Sequence, residues 1–327
     1  MPPEIDVLTT SYSDITRFNQ CRRAWYLGSF LQLRKIKQTR YGPLPFGSRV
    51  HLALEIAQKQ QRWESITDIW IELMQAEFDY WKTVALPAPK ELVVESKLGY
   101  IMLEGYAAWR QQERHDDHWE VIGVETQFGE YVEIALPDGR VAMVLFRGKA
   151  DIIMRRRSDG AVYILDYKTA ASFSEDTIVK QENSPQGPLY IHLQGRGGAN
   201  DPKLKAEGVV YDLLRKVQQT KTATPPFYKR IVVPITAARM AAAVDNLAAT
   251  AEDIVRVSEA LLDGRDHTQV APYHVDWYCH SCPFKAPCQQ MQRGNFLGAQ
   301  DMLAEQYETG DNFERYNKEA LLAASLD

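Results

Sequence analysis

Between residues 119 and 168 the apolar pattern of this chain has a period of two, and two turn signals divide it. The stretches 121–128, 131–136, 141–155 and 162–168 alternate as half-buried strands do, with Pro137-Asp138-Gly139 and Ser158-Asp159-Gly160 as hairpin turns. A block of antiparallel strands is therefore expected in mid-chain, and helical periodicity surrounds it. Ser11 or Ser13 can cap a helix carrying Ile15, Phe18, Trp25 and Leu27, and a Gly/Pro-rich break from Tyr41 to Pro45 ends that entry segment. Further helical patterns cover 46–63, 66–84 and 91–110; after the strands another covers 237–262 and is stopped by Gly264. Two more strands are expected at 209–214 and 230–235, and a mobile loop at 195–202. No internal repeat and no P-loop motif interrupts the order. It reads as one α/β domain with a helical insertion over 64–118.

The 327 residues, 45% apolar and 25% charged with 19 Gly and 16 Pro, exclude collagen-like, low-complexity and largely disordered readings. No apolar run approaches the roughly 18 residues of a membrane span. The opening Met1-Pro2-Pro3-Glu4-Ile5-Asp6 has neither a basic nor an apolar leader region, so a cytoplasmic protein is expected. In a reducing compartment its four cysteines are metal ligands or core residues rather than disulfides. Net charge is −5, and its distribution is uneven. Seven acids and two bases stand between residues 301 and 327; eight bases and one acid stand between 11 and 50. The basic segment, with Arg22, Arg23, Arg34 and Lys35, is either a nucleic-acid footprint or a solvated helix face. Phe18, Trp25, Tyr26, Phe30 and Tyr41 beside it can stack on unpaired bases or simply fill a core.

The chemistry concentrates in Gly148-Lys149-Ala150-Asp151 and, after a hairpin, Leu165-Asp166-Tyr167-Lys168-Thr169. Alternation puts Asp166 and Lys168 on one strand face, and the turn brings Asp151 within a residue or two of them. Two carboxylates converging beside a lysine suit Mg²⁺ or Mn²⁺; the same residues also fit a surface ion pair on an edge strand. Glu125, on the preceding strand, can join them. His51, in Gly47-Ser48-Arg49-Val50-His51, is a metal ligand or a hydrogen-bonded core residue. Gln186 and Tyr190, four apart, share a helix face.

Cys279, Cys282 and Cys288 form C-x₂-C-x₅-C, and the remaining thiol, Cys21, lies inside the basic segment. Four ligands match a [4Fe–4S] cluster or a Cys₄ zinc site. With only one local C-x₂-C unit, iron–sulfur fits better than Zn²⁺. Such a cluster would join the two ends of the chain as a clasp.

Together these residues resemble the PD-(D/E)xK nuclease superfamily, and within it the RecB-type branch with an iron–sulfur clasp, which includes CRISPR-adaptation nucleases, AddB-type nuclease domains and phage recombination exonucleases. The resemblance runs from Tyr12 to Cys288. It rests on Tyr12-Ser13-Asp14-Ile15 followed by Cys21, on Gly47 and His51, Glu125, Asp151, Asp166 and Lys168, Gln186 and Tyr190, and the three late cysteines. It implies a restriction-endonuclease-like core, a mixed central sheet flanked by helices, with a helical insertion and a C-terminal iron–sulfur clasp. The segments would be 1–45 with the first cluster cysteine, 46–118 helical, 119–236 nuclease core, 237–292 helix and cysteine cluster, and 293–327 an acidic tail. It further implies that His51, Asp151, Asp166 and the Tyr167 carbonyl bind the divalent metal and that Lys168 positions the attacking water. Gln186 and Tyr190 would orient these groups or touch the DNA backbone, and Cys21, Cys279, Cys282 and Cys288 would hold the cluster. Ala150 replaces the proline of the superfamily's name, which removes no ligand. Pro188 requires Gln186–Tyr190 to lie in a first helical turn, with Ser184 capping and Pro185 leading.

The expected function is a metal-dependent DNA nuclease, an exonuclease acting on single-stranded or duplex ends in a bacterial cell or phage-infected host. No helicase motor is encoded, so unwinding would need a helicase, recombinase or single-strand-annealing partner; no membrane is expected. The alternative is a non-catalytic DNA-end-binding or assembly subunit of a recombination or CRISPR-adaptation complex, against which the intact Asp151, Asp166 and Lys168 argue. A redox sensor would leave the acidic residues without purpose.

Overall fold

In the computed structural model, which describes residues 8–36, 40–84, 86–197, 205–220 and 222–311, a short strand opens the chain. This is β1 (Leu8–Ser11), followed by α1 (Tyr12–Gln20), α2 (Arg22–Trp25), β2 (Leu33–Lys35) and three long helices, α3 (Pro43–Gln60), α4 (Ile66–Thr83) and α5 (Lys90–Gln112). After α6 (His115–His118) come β3 (Trp119–Ala135), β4 (Val141–Arg156) and β5 (Val162–Ala170), then α7 (Glu175–Glu182) and α8 (Gln186–Gly197). β6 (Gly208–Arg215), β7 (Tyr228–Pro234), α9 (Ala237–Leu262), α10 (His267–Val270), α11 (Lys285–Gln292), α12 (Phe296–Gln306) and β8 (Tyr307–Thr309) complete the order. The loop expected at 195–202 is helical over 195–197, which end α8, and its remainder, with Lys37 and the tail beyond 311, lies outside the described residues. No described helix is long and apolar enough to cross a membrane.

The chain divides into two units, one of Met1–Gln38, Gln127–Gly148 and Ala241–Asp327, the other of Thr39–Thr126 and Lys149–Met240. In the second unit, β4 pairs antiparallel with β5 from Ile152↔Leu165 to Arg155↔Val162. β5 runs parallel to β6, which is antiparallel to β7, so the sheet is mixed. The parallel β5–β6 pair needs a crossover, and α7 and α8 supply it. β6 is buried from Gly208 to Leu214, as a central strand must be; a Cβ at Gly208 would lie 2.6 Å from the Val233 carbonyl oxygen. Apolar residues at helical spacing, Val50, Leu54 and Ala57 on α3 and Ile66, Ile69 and Trp70 on α4, pack with Met102 and Tyr106 of α5 against Ile152, Tyr163 and Leu165 of the sheet. Each such fully buried aliphatic or aromatic side chain contributes roughly 1.5–3 kcal/mol.

In the first unit, β1 pairs in parallel with the start of β4, from Leu8↔Val144 to Ser11↔Arg147, and β2 pairs antiparallel with β8. Ser11 and Asp14 form a capping box that starts α1. The single helix expected from Ser11 to beyond Trp25 is broken: Cys21 takes an extended conformation, φ −162° and ψ 111°, between α1 and α2. The gap expected near residue 130 is absent, because β3 is continuous through Gly129. The Gly/Pro break at 41–45 is in part the start of α3, since Pro43 occupies a first-turn position where no N–H is required.

Candidate active site

The β4–β5 register sets the site. One step beyond Ile152↔Leu165 it places Asp151 opposite Asp166, and directly opposed residues of an antiparallel pair share a face. Lys168, two residues on, shares that face, with its Nζ 2.5 Å from Asp166 Oδ2. Lys168 Nζ also donates to Gln186 Oε1 at 3.4 Å. Asp151 Oδ2 accepts the Tyr167 backbone N–H at 3.1 Å and lies 3.3 Å from His51 Nδ1 on α3. Gln186 opens α8, its N–H donating to Ser184 Oγ at 3.3 Å. Pro188 therefore sits in the first turn, where no helical hydrogen bond is lost. Tyr190 stands one turn further on and is half-buried.

Burial is the largest influence on all four ionisable groups. It raises the Asp166 carboxyl, the Asp151 charge raises it further, and Lys168 only partly offsets this. Burial would also raise Asp151, but His51, the Tyr167 N–H and Lys168 together bring it below its ordinary value. Burial would lower His51 and Lys168; instead Asp151 raises the first and Asp166 the second. Lys168 is thus an ammonium at neutral pH. A pair of buried carboxylates, one destabilised by the other, is the donor chemistry that a hard divalent cation fits.

A second group adjoins the first. Glu125, on β3, has φ 50°, and its buried carboxyl is ion-paired with Lys149 of β4. Burial raises the Glu125 carboxyl; Lys149 opposes the rise, while Glu55 and Asp151 add to it. Glu55 is one turn after His51 on α3 and pairs with Lys59. Glu55 and Lys149 went unrecognised in the sequence, although the i, i+4 spacing from His51 and the i−2 spacing from Asp151 were there to read. Also unrecognised was Asp212, a lone carboxylate in an apolar strand. It is 1% exposed, bound by both Arg230 Nε and Nη2 at 2.7 and 2.6 Å and by the Tyr106 hydroxyl at 2.6 Å. Among the described residues, no three His, Cys, Asp or Glu side chains converge on one metal-ion position.

The four cysteines lie in the first unit. Cys21, Cys279, Cys282 and Cys288 all line one cavity of about 140 Å³. Burial raises the Cys282 thiol, and the other three thiols raise it further. The His274 N–H donates to Cys21 Sγ at 3.5 Å and Gln292 Nε2 to Cys288 Sγ at 3.4 Å.

The basic segment is largely neutralised. Arg22 pairs with Asp253 at 2.9 Å, Arg34 with Glu308 at 3.1 Å, Arg40 with Glu77 at 2.8 Å and Arg49 with Glu95 at 2.7 Å. Arg23 is 4% exposed, with its guanidinium over the Tyr273 ring, whereas Lys35 is exposed. Phe18 and Trp25 are buried edge to face, and Tyr26 stacks on His267.

Comparison with known proteins adds one family. A solved structure described as the crystal structure of SSO0001 is 13% identical, covering 77% of this chain and 87% of that one at a TM-score of 0.27, a likeness too slight to support any conclusion. No curated protein is detectably similar in sequence. The model of the PD-(D/E)XK nuclease superfamily, whose members are usually nucleases, matches residues 9–289. Because that match spans most of the chain and takes in every residue of the acidic site, the chain belongs to the PD-(D/E)XK nuclease superfamily.

Proposed function

We propose that the chain is a divalent-metal-dependent DNA nuclease of the RecB-type branch, an exonuclease that hydrolyses phosphodiester bonds at DNA ends during recombination or repair. The observation that carries this reading is the grouping of carboxylates and a lysine where the β4–β5 ladder ends: Asp151 accepts the Tyr167 N–H, and Asp166 is ion-paired with a charged Lys168. Asp151, Asp166, His51 and the Tyr167 carbonyl would hold Mg²⁺ or Mn²⁺, which when bound polarises a phosphoryl oxygen and acidifies a bound water. The chain's own groups do the rest. His51 and the Tyr167 N–H fix the Asp151 carboxylate. Lys168, steadied by Gln186, offers N–H donors that orient the attacking water and stabilise charge developing on the phosphate. Tyr190 orients these groups or contacts the DNA backbone.

Cys21, Cys279, Cys282 and Cys288 would hold a [4Fe–4S] cluster, a reading supported by their shared cavity.

The experiment is cleavage of end-labelled single- and double-stranded DNA with Mg²⁺, Mn²⁺ or EDTA, using anaerobically purified protein and Lys168→Ala. Metal-dependent degradation that falls by ~100-fold or more in the variant is expected. DNA binding without cleavage by the folded wild type would instead favour the end-binding subunit.

A further inference from the structure

From Gly208 to Leu214 β6 is buried, and two neighbours in that run are polar, Tyr211 and Asp212. Asp212 faces Arg230 and Tyr106. Successive strand residues alternate, so Tyr211 points the other way. The parallel β5–β6 register sets Tyr211 beside Asp166 and Leu213 beside Lys168, which puts Tyr211 on the face that carries the acidic site. It is 2% exposed. Phenylalanine would fill the same space, so the hydroxyl is the feature that needs a reason: a buried polar group costs stability unless it is partnered. That hydroxyl meets the start of α8. A Cβ at Gly187 would run into Val209 Cγ2 and lie 3.4 Å from the Tyr211 hydroxyl oxygen, so the first turn of α8 rests directly on β6. The same hydroxyl faces the Ser184 side chain, whose Oγ accepts the Gln186 N–H at 3.3 Å. Gln186 Oε1 in turn accepts from Lys168 Nζ. At 3.4 Å this last hydrogen bond is near the limit of such a contact, so a small shift in the start of α8 would break it.

We propose that Tyr211 is a positioning residue: through Ser184 and the first turn of α8 it holds Gln186 against Lys168 Nζ, and so sets where the lysine's remaining N–H donors point. Tyr211 touches no reacting atom in this scheme. Asp166 fixes the ammonium from its own strand, and Gln186, seated by β6, fixes it from the helix. Two restraints on one flexible side chain leave it a single direction, which one ion pair does not. The catalytic consequence rests on the nuclease reading of the site; the seating of Gln186 by Tyr211 does not.

The test compares full-length wild type, Tyr211→Phe, Gln186→Ala and the double variant, with Mg²⁺ and end-labelled DNA. Tyr211→Phe, checked for folding by circular dichroism, is expected to lower kcat about 10-fold with KM unchanged, as a misplaced donor does. Gln186→Ala should lose a similar amount, and the double variant no more than either alone, because both act through one contact. Additive losses, a loss confined to KM, or a Tyr211→Phe that cleaves as wild type does would overturn the proposal. A second readout needs no turnover. The side-chain amide NMR signal of Gln186, identified by its loss in Gln186→Ala, should shift in Tyr211→Phe and in Lys168→Met. An unmoved signal in Tyr211→Phe would overturn the proposal whatever the kinetics. Wild type that fails to cleave DNA would overturn the nuclease reading, and the amide signal would still decide what Tyr211 holds.

Discussion

Lys168 shows how surroundings select among the roles open to one side chain. A lysine acting as general base must lose its proton near neutral pH, which requires a lowered pKa. Burial pulls Lys168 that way, but the charge and hydrogen bond of Asp166, with Asp151 beyond, raise it instead. In the proposed nuclease it would therefore act as a fixed positive charge and donor. Arginine cannot act as a base in a protein, so Lys168→Arg separates the two roles. Lys168→Arg is expected to retain cleavage at least about 10-fold above Lys168→Met, on the scale of a lost transition-state donor. Equal loss in both, measured as single-turnover cleavage, would favour the base. Asp151, Asp166 and Lys168 were legible in the sequence because strand alternation and one hairpin turn fix their common face. Glu55 and Lys149 were not: their spacings from His51 and Asp151 can be read, but what brings them to Glu125 is the packing of α3 and the left-handed backbone of β3, which those spacings do not announce.

At the level of elements, long periodic segments declared themselves and short ones did not. The residues of α4, α5 and α9 carry enough turns for their apolar faces to show, and β4 to β7 alternate or run apolar for seven or more residues. β1, β2 and β8 span only three or four residues and exist because a partner strand is there to pair with. β6 is the instructive case. Asp212 is an acid inside a wholly buried strand, and its pairing with Arg230 of β7 and Tyr106 of α5 links three elements of one unit. Removing one partner leaves the other charge buried and uncompensated, which costs about 3–5 kcal/mol, whereas replacing both by apolar side chains can be nearly neutral. Asp212→Ala is accordingly expected to lower stability by about 3–5 kcal/mol. Asp212→Leu combined with Arg230→Met should lose much less, as read from the urea midpoint. Additive losses in the double variant would mean that the pair is itself a net source of stability.

For the whole molecule, the response to acid is set by groups whose protonation differs between folded and unfolded chains. His115 contributes the clearest part. It is 8% exposed, its ring lies 4.6 Å from that of Trp109, and burial, reinforced by Arg230 and Arg110, lowers its pKa from 6.5 to about 4. Above pH 6.5 the imidazole is neutral in both states and takes nothing from stability. As pH falls from 6.5 toward 4, the unfolded chain binds the proton first, so stability drops over that window and levels off below the folded value. A shift of this size is worth about 3 kcal/mol, and about 2–3 kcal/mol once solvent screening of the partly open site is allowed for. Asp166 and Glu125 act in the opposite sense: their carboxyls are raised in the folded state, mainly by burial, so acidification relieves them. The raw pH profile mixes the two signs, and a difference profile separates them. With His115→Gln as reference, wild type is expected to lose about 2–3 kcal/mol relative to the variant between pH 6.5 and 4, and nothing between pH 7 and 8. A difference that stays flat from pH 8 to 4 in urea unfolding would show that His115 titrates alike in both states and that burial does not hold it neutral.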